Sequence, residues 1–180
     1  MPVQEGPVGP FPEGAEPVEY DKLRRRVLWK MPSGLYVVGA RDGERRNAMT
    51  ASWATQVGFD PKLVAISIER AAFTHELVHA GRVFALNLIE REDRAIVRKF
   101  TKPVDVDLDA RTLNGFPFHD GVTGAPVLDQ AVAVVECEVR QEVDAGRHTL
   151  FLGEVVTSAF LKDEDTPVLR MEDTRMSYGG

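Results

Sequence analysis

The chain is poor in cysteine. Of its 180 residues only Cys137 carries a thiol, which excludes a disulfide framework within one chain and any Cys-rich zinc site. No apolar run approaches the ~20 residues that a membrane helix needs, and the first residues lack the apolar core of a secretory signal. A cytoplasmic protein with no membrane partner is expected. Positive charge is also short: 22 Lys plus Arg stand against 28 Asp plus Glu, a formal net charge of −6. Nucleic acid is therefore not an expected partner, because phosphate neutralisation needs a basic face. There is no internal repeat. No Gly-rich phosphate loop of the Rossmann or P-loop kind stands at a strand–helix junction, so a Rossmann dinucleotide domain is not expected. The remainder, 43% hydrophobic and 28% charged, is the composition of a globular domain with its own core.

Met1 to Tyr20 holds five of the eleven prolines and four glutamates and has no hydrophobic periodicity. Residues 1–22 read as an extended or disordered arm, either solvated or wrapped around a partner subunit, and residues 23–180 as one domain. Leu35 to Ala40 reads as a strand ending in the polar turn Arg41 to Glu44. In the next segment Met49, Ala51, Trp53 and Val57 fall on one parity and Thr50, Ser52, Ala54 and Gln56 on the other, the period-two pattern of a single strand. Leu63–Ile68 and Val83–Ile89 add two more strands. Between them Thr74 is placed as the N-cap of a short helix that Gly81 stops. A second helix is expected over 93–100, with Ile96, Val97 and Phe100 on one face. Thr112 to Pro126 reads as a long loop, a lid or a binding loop. In the fifth strand Ala131, Ala133, Val135, Cys137 and Val139 share a parity opposite Glu136 and Glu138, which buries Cys137 as a packing thiol. His148 to Val156 is the sixth. Six strands and short helices predict a mainly β, antiparallel barrel.

Three groups of residues carry candidate chemistry. His75-Glu76-Leu77-Val78-His79 fits H-E-x-x-H, the spacing with which a helix grips zinc between two imidazoles. Yet the continuation that zinc peptidases use is missing, with Arg82 and Ala85 at those positions, and a third ligand from Glu90, Glu92 or His119 has no pattern behind it. Asn47 to Trp53 combines an amide, two hydroxyls, small residues and a flat indole, a strand that a ligand can approach closely or an ordinary surface strand. Ser67, Arg70 and Thr74 combine hydroxyls and a guanidinium at a helix start, an anion site suited to phosphate. The same three fit a plain cap and a surface charge.

The order of several blocks resembles one family. Asn47 to Val57, Asp60 to Ile68, Thr74 to Val78, Phe84 to Leu88 and His148 to Val155 are similar to the flavin reductase-like, FMN-binding split-barrel family near its flavoredoxin branch, over roughly residues 27 to 170. The resemblance implies a six-stranded antiparallel Greek-key split barrel, a homodimer, and a flavin at the subunit interface. It implies that Asn47, Thr50, Ala51, Ser52 and Trp53 hold the isoalloxazine and ribityl chain, that Ser67, Arg70 and Thr74 lie on the phosphate side, and that Lys102 is a basic residue near the flavin. His148 matches a histidine on the nicotinamide side, although the residue before it is Arg147 where the family has aspartate. The H-E-x-x-H segment falls where the family begins a short helix, so no metal is implied.

The expected function is NAD(P)H-dependent flavin reduction, or electron transfer from bound reduced flavin to a redox partner protein. The cofactor is FMN, with FAD also compatible, and NAD(P)H is the co-substrate. The flavin carries the chemistry, so no catalytic side chain is implied. Asn47 and backbone N–H groups favour the negative charge of reduced flavin. Two alternatives stand beside this reading: an FMN-binding electron carrier without its own NAD(P)H site, and a zinc metallopeptidase built on His75-Glu76-x-x-His79.

Overall fold

The computed structural model describes residues 6–176. The first five residues of the expected arm and the closing Tyr178-Gly179-Gly180 lie outside them. The described residues divide into two compact units, residues 33–174 and a smaller one of residues 6–32 with 175–176.

In the smaller unit the chain is helical from Pro17 to Leu28 (α1), which corrects the reading of residues 17–22 as extended. Tyr20, Leu23 and Val27 recur at helical spacing, yet none of the helix's residues is buried. Its signals are polar. Glu16 accepts a hydrogen bond from the Glu19 N–H at 3.0 Å, Pro17 opens the first turn, and Arg25 and Arg26 sit in the last turn, where they oppose the helix dipole. Asp21 pairs with Arg24 at 2.6 Å.

The larger unit is built on antiparallel strands: β1 (Tyr36–Asp42), β2 (Arg45–Ala51), β3 (Ala54–Phe59), β4 (Lys62–Glu69), helix α2 (Phe73–Gly81), β5 (Val83–Leu88) and helix α3 (Arg94–Lys99). Four short strands follow, β6 (Val106–Asp107), β7 (Thr112–Leu113), β8 (Phe116–Asp120) and β9 (Pro126–Leu128), and then the long hairpin β10 (Ala133–Ala145) and β11 (His148–Phe160). The main sheet has seven strands in the order β2-β1-β5-β10-β11-β4-β3. This corrects the expected count of six, and no ladder joins the outer strands to close a barrel. The difference lies at Ser52-Trp53. The single strand expected there is two, β2 on one edge of the sheet and β3 on the other, linked by those two residues. Across three peptide units the ends of β2 and β3 lie within roughly 11 Å, whereas seven flat strands would set them roughly 29 Å apart. The sheet must therefore curl until its two edges meet at this corner.

The stretch expected as a long loop carries β7, β8 and β9 of a separate four-stranded sheet. Asn114-Gly115 makes the β7–β8 hairpin turn, with φ of 52° and 80° and Leu113 paired to Phe116. Positive φ at both central residues is the Asn-Gly hairpin turn, so the signal was present in the sequence.

The core packs α2 against one face of the sheet through Leu77, Val78, Ile66, Ile68, Phe84 and Phe151. Cys137 lies in this core, and burial, with the Glu136 charge beside it, pushes its thiol up to about 12. Glu136 departs from the expected exposed parity. It is buried and accepts hydrogen bonds from the Val122 N–H at 3.1 Å, the Thr123 N–H at 2.8 Å and the Thr123 hydroxyl at 2.7 Å. A carboxylate so bonded is satisfied without water, and it anchors the 121–124 turn. Among the described residues no helix is long and apolar enough to cross a membrane.

Gly153 tests this packing. A Cβ there would lie 2.6 Å from the Phe84 ring and 2.7 Å from the Cys137 Cβ. Gly153→Ala is expected to cost roughly 1–3 kcal/mol of stability, read as a lower urea midpoint with an unchanged slope. An unchanged midpoint would mean that this core is loosely packed.

Candidate functional site

The corner where the sheet edges meet gathers some of the expected site residues. Ser52 is buried and Trp53 is 44% exposed. The Trp53 carbonyl accepts the Ser67 N–H at 3.0 Å, which fixes the link against β4. The Trp53 indole stands edge-on to the His148 ring, 5.1 Å between centroids. In the β4–β11 register His148 faces Glu69 and Leu150 faces Ser67. Paired residues share a face of a sheet and alternate residues share it along a strand. Ser67, Glu69, His148 and Leu150 therefore lie on one face.

The neighbouring residues of the motif are spent on the fold. Thr50 is buried, its hydroxyl donates to the Val97 carbonyl, and its N–H donates to the Phe100 carbonyl at 3.0 Å. These two bonds tie β2 to α3 and so bring the chain leading to Lys102 to the corner. Lys102 itself is exposed and makes no ion pair or hydrogen bond with the described residues. Ala51 is buried in the core. Asn47, also buried, donates from Nδ2 to the Thr74 hydroxyl at 2.8 Å. Thr74 is not the helix cap that was expected. Ala72 occupies that position in extended geometry, α2 begins at Phe73, and Thr74 is buried inside the first turn.

The expected phosphate-side residues do not converge. Ser67 faces the Trp53 corner and Thr74 is turned to Asn47. Arg70 reaches the opposite face, where its Nη2 pairs with Asp144 at 2.8 Å. A cavity of about 420 Å³ lies there, lined by Arg70, His75, His79, Glu142, Asp144 and Thr149. Its groups are largely paired among themselves. His75 Nε2 is bonded to the Thr149 hydroxyl at 2.8 Å, and His79 Nδ1 donates to Glu142 at 2.8 Å, which Arg82 also engages. Among the described residues no three His, Cys, Asp or Glu side chains are placed to hold a metal ion.

Sequence reasoning missed Glu69 and the rim it forms. Arg147, at the tip of the β10–β11 hairpin, reaches back to Glu69 with Nη2 to Oε1 at 2.9 Å, and its carbonyl accepts the Arg70 N–H at 2.9 Å. Only the register of β11 on β4 reveals that Glu69 shares the face of His148.

The model of the flavin reductase like domain matches residues 28–179. The chain belongs to that family. It is 34% identical over 158 residues to the NADH-dependent FAD reductase of Streptomyces globisporus, covering 84% of this chain and 82% of that one. It is 31% identical over 138 residues to the high molecular weight rubredoxin of Moorella thermoacetica. The chain spans 59% of the Moorella protein, and 25% of a diflavin flavoprotein of Synechocystis to which it is 28% identical. Among solved structures the Streptomyces globisporus NADH:FAD oxidoreductase superposes with a TM-score of 0.72 at 30% identity, covering 91% of this chain and 89% of that one. The FMN-binding protein of Thermus thermophilus gives 0.68 at 28% identity, covering 89% and 83%.

His75 on the second face gives a testable pH dependence of stability. Burial, and then the charge of His79 beside it, hold the His75 imidazole below its ordinary range. Below about pH 6.5 the unfolded chain takes up a proton that folded His75 resists. Stability present above that pH is lost as pH falls through the folded value. Urea unfolding at pH 7.5 and 5.5 should show a smaller loss for His75→Gln than for the wild type. Equal losses would assign the acid sensitivity elsewhere.

Proposed function

We propose that the protein is an NAD(P)H-dependent flavin oxidoreductase that works as a homodimer, with FMN as its flavin and FAD as a compatible substitute. The observation that carries this reading is the Trp53–His148 aromatic pair on a half-exposed face, at the corner where both sheet edges meet. The Streptomyces relative, matched over more than four-fifths of both lengths and named an NADH-dependent FAD reductase, supports it.

The donor set suits a flavin. An exposed indole offers a flat apolar surface, small residues at Ala51 and Ser52 allow close approach of a ring to backbone, and Lys102 is an uncommitted cation. We assign ring contacts to Ser52, Trp53 and Ser67 and phosphate neutralisation to Lys102. Asn47, Thr50, Ala51 and Thr74 shape the corner from behind. Arg70 holds the hairpin through its N–H, and His148 stands on the nicotinamide side. When bound, the flavin supplies the hydride-accepting chemistry. The protein's part is to hold two rings against each other and to exclude water, which needs no acid or base.

The edge strand β3 supports the dimer. Val57 is 51% and Phe59 83% exposed, and an apolar edge of this kind is normally covered. Pairing across it would complete the split barrel expected of the family and cover Trp53. The single buried thiol suits the cytoplasm, and a redox partner protein is the natural second acceptor of electrons.

Anaerobic mixing with NADH or NADPH tests the activity. Bleaching of the flavin band without added protein is expected, and no bleaching would leave the electron-carrier reading in its place. Trp53→Ala should weaken flavin roughly tenfold or more, as loss of an aromatic anchor does, and should make thermal stability depend more steeply on protein concentration. Sedimentation of wild type as a single monomeric species still holding flavin would overturn the dimeric site.

A further inference from the structure

We infer that the outer face of α3 docks an acidic one-electron carrier protein beside the flavin corner. The inference rests on the reading of the Trp53 face as the flavin site, and it names the kind of redox partner and the surface that takes it.

From Arg94 to Lys102 the chain has four cations and no acid. The helix α3 turns Ile96 and Val97 into the core, and Phe100 is buried after them. The outer face is left with Arg94, Ala95, Arg98 and Lys99, all exposed. Neither these three cations nor Lys102 make an ion pair or side-chain hydrogen bond with the described residues. Carboxylates are in excess on this chain of net charge −6, and other cations of the unit use them: Arg46 pairs with Asp120, Arg70 with Asp144 and Arg147 with Glu69. Asp93, next to α3, bonds Gln130 instead. Arg94 and Arg98 stand at i, i+4, where like charges cost helix stability. The face therefore carries positive charge that the fold does not use.

Its position ties it to the corner. Thr50, on the strand that leads to Ser52, donates its hydroxyl to the Val97 carbonyl and its N–H to the Phe100 carbonyl. Asn114 donates to the Lys99 carbonyl at 3.1 Å and fixes the end of the helix. A helix with its side chains is ~10–12 Å across, so a protein seated on α3 lies about one helix diameter from β2. Side chains on the outside of a helix diverge, whereas a small ligand is held by groups that converge in a concave site. An extended acidic surface fits this face better than a small anion does. Electron-transfer complexes bury little area, and complementary charge mainly speeds their encounter. Over one turnover NAD(P)H gives up a hydride, two partner molecules take one electron each, and one proton passes to water.

The test follows flavin-loaded protein, photoreduced without oxygen, as it is reoxidised by cytochrome b5, a small acidic haem protein. The second-order rate should fall as added salt screens exposed charges. In the variant carrying Arg94→Glu, Arg98→Glu and Lys99→Glu it should fall roughly tenfold or more at low salt, the scale of electrostatic steering, and lose that salt dependence. Arg98→Gln alone should lower it in the same direction by less. Reduction of cytochrome c, a basic haem protein, should not be slowed in either variant. An unchanged rate with cytochrome b5, or equal losses with both haem proteins, would overturn the inference. So would a triple variant that sediments as a smaller species than the wild type, since the face would then be a contact between copies. Photoreduction bypasses NAD(P)H, so a wild type that NADH does not bleach would remove the oxidoreductase reading and leave the docking result standing. A wild type that takes up no flavin would remove both.

Discussion

Two residues, Ser52 and Trp53, join the opposite edges of a seven-stranded sheet. So short a link cannot be met by a flat sheet, and the curl it imposes decides where the rest of the molecule can go. One face turns inward over α2 and fills with aliphatic and aromatic side chains. At the corner the Thr50 N–H is given to Phe100 and the Ser67 N–H to the Trp53 carbonyl, while Trp53 remains 44% exposed. The indole is left at the junction with no strand laid over it.

The β10–β11 hairpin then divides the chemistry between two faces. His148 and Thr149 are neighbours in sequence, yet they point to opposite sides of the sheet. His148 meets Trp53, and Thr149 meets His75 behind it. The H-E-x-x-H spacing is accounted for on that second face. Its histidines are oriented by a hydroxyl and a carboxylate, and the cavity between them is lined by groups that already neutralise one another. On the first face fewer polar groups are spent, which is the condition for binding something else.

Buried polar side chains explain why a motif and its contacts part company. Asn47, Thr50 and Thr74 belong to the blocks that identify the family, yet each is satisfied by another protein group. Their amide and hydroxyls hold β2 to α2 and to α3. A residue of a binding motif can thus serve by placing the backbone that its neighbours present. Glu136 acts likewise at the 121–124 turn, where a strand residue replaces water for a loop.

Much of the fold was legible locally. The strands at Leu35–Ala40, Leu63–Ile68 and Val83–Ile89, the helices near 74–80 and 93–100, and the burial of Cys137 follow from apolar periodicity and turn residues. The ordered blocks named the family. Parity could not reveal the break at Ser52-Trp53, because alternation continues across a corner. The sequence by itself determined the elements, the family and the set of residues from which a site could be built. Only the tertiary structure decided which of them meet. Asn47 and Thr74 are 27 residues apart, and Trp53, Ser67, Glu69 and His148 come from three separate segments. Whether a polar group is free or spent depends on the partner that strand register sets opposite it, and no local pattern records that register.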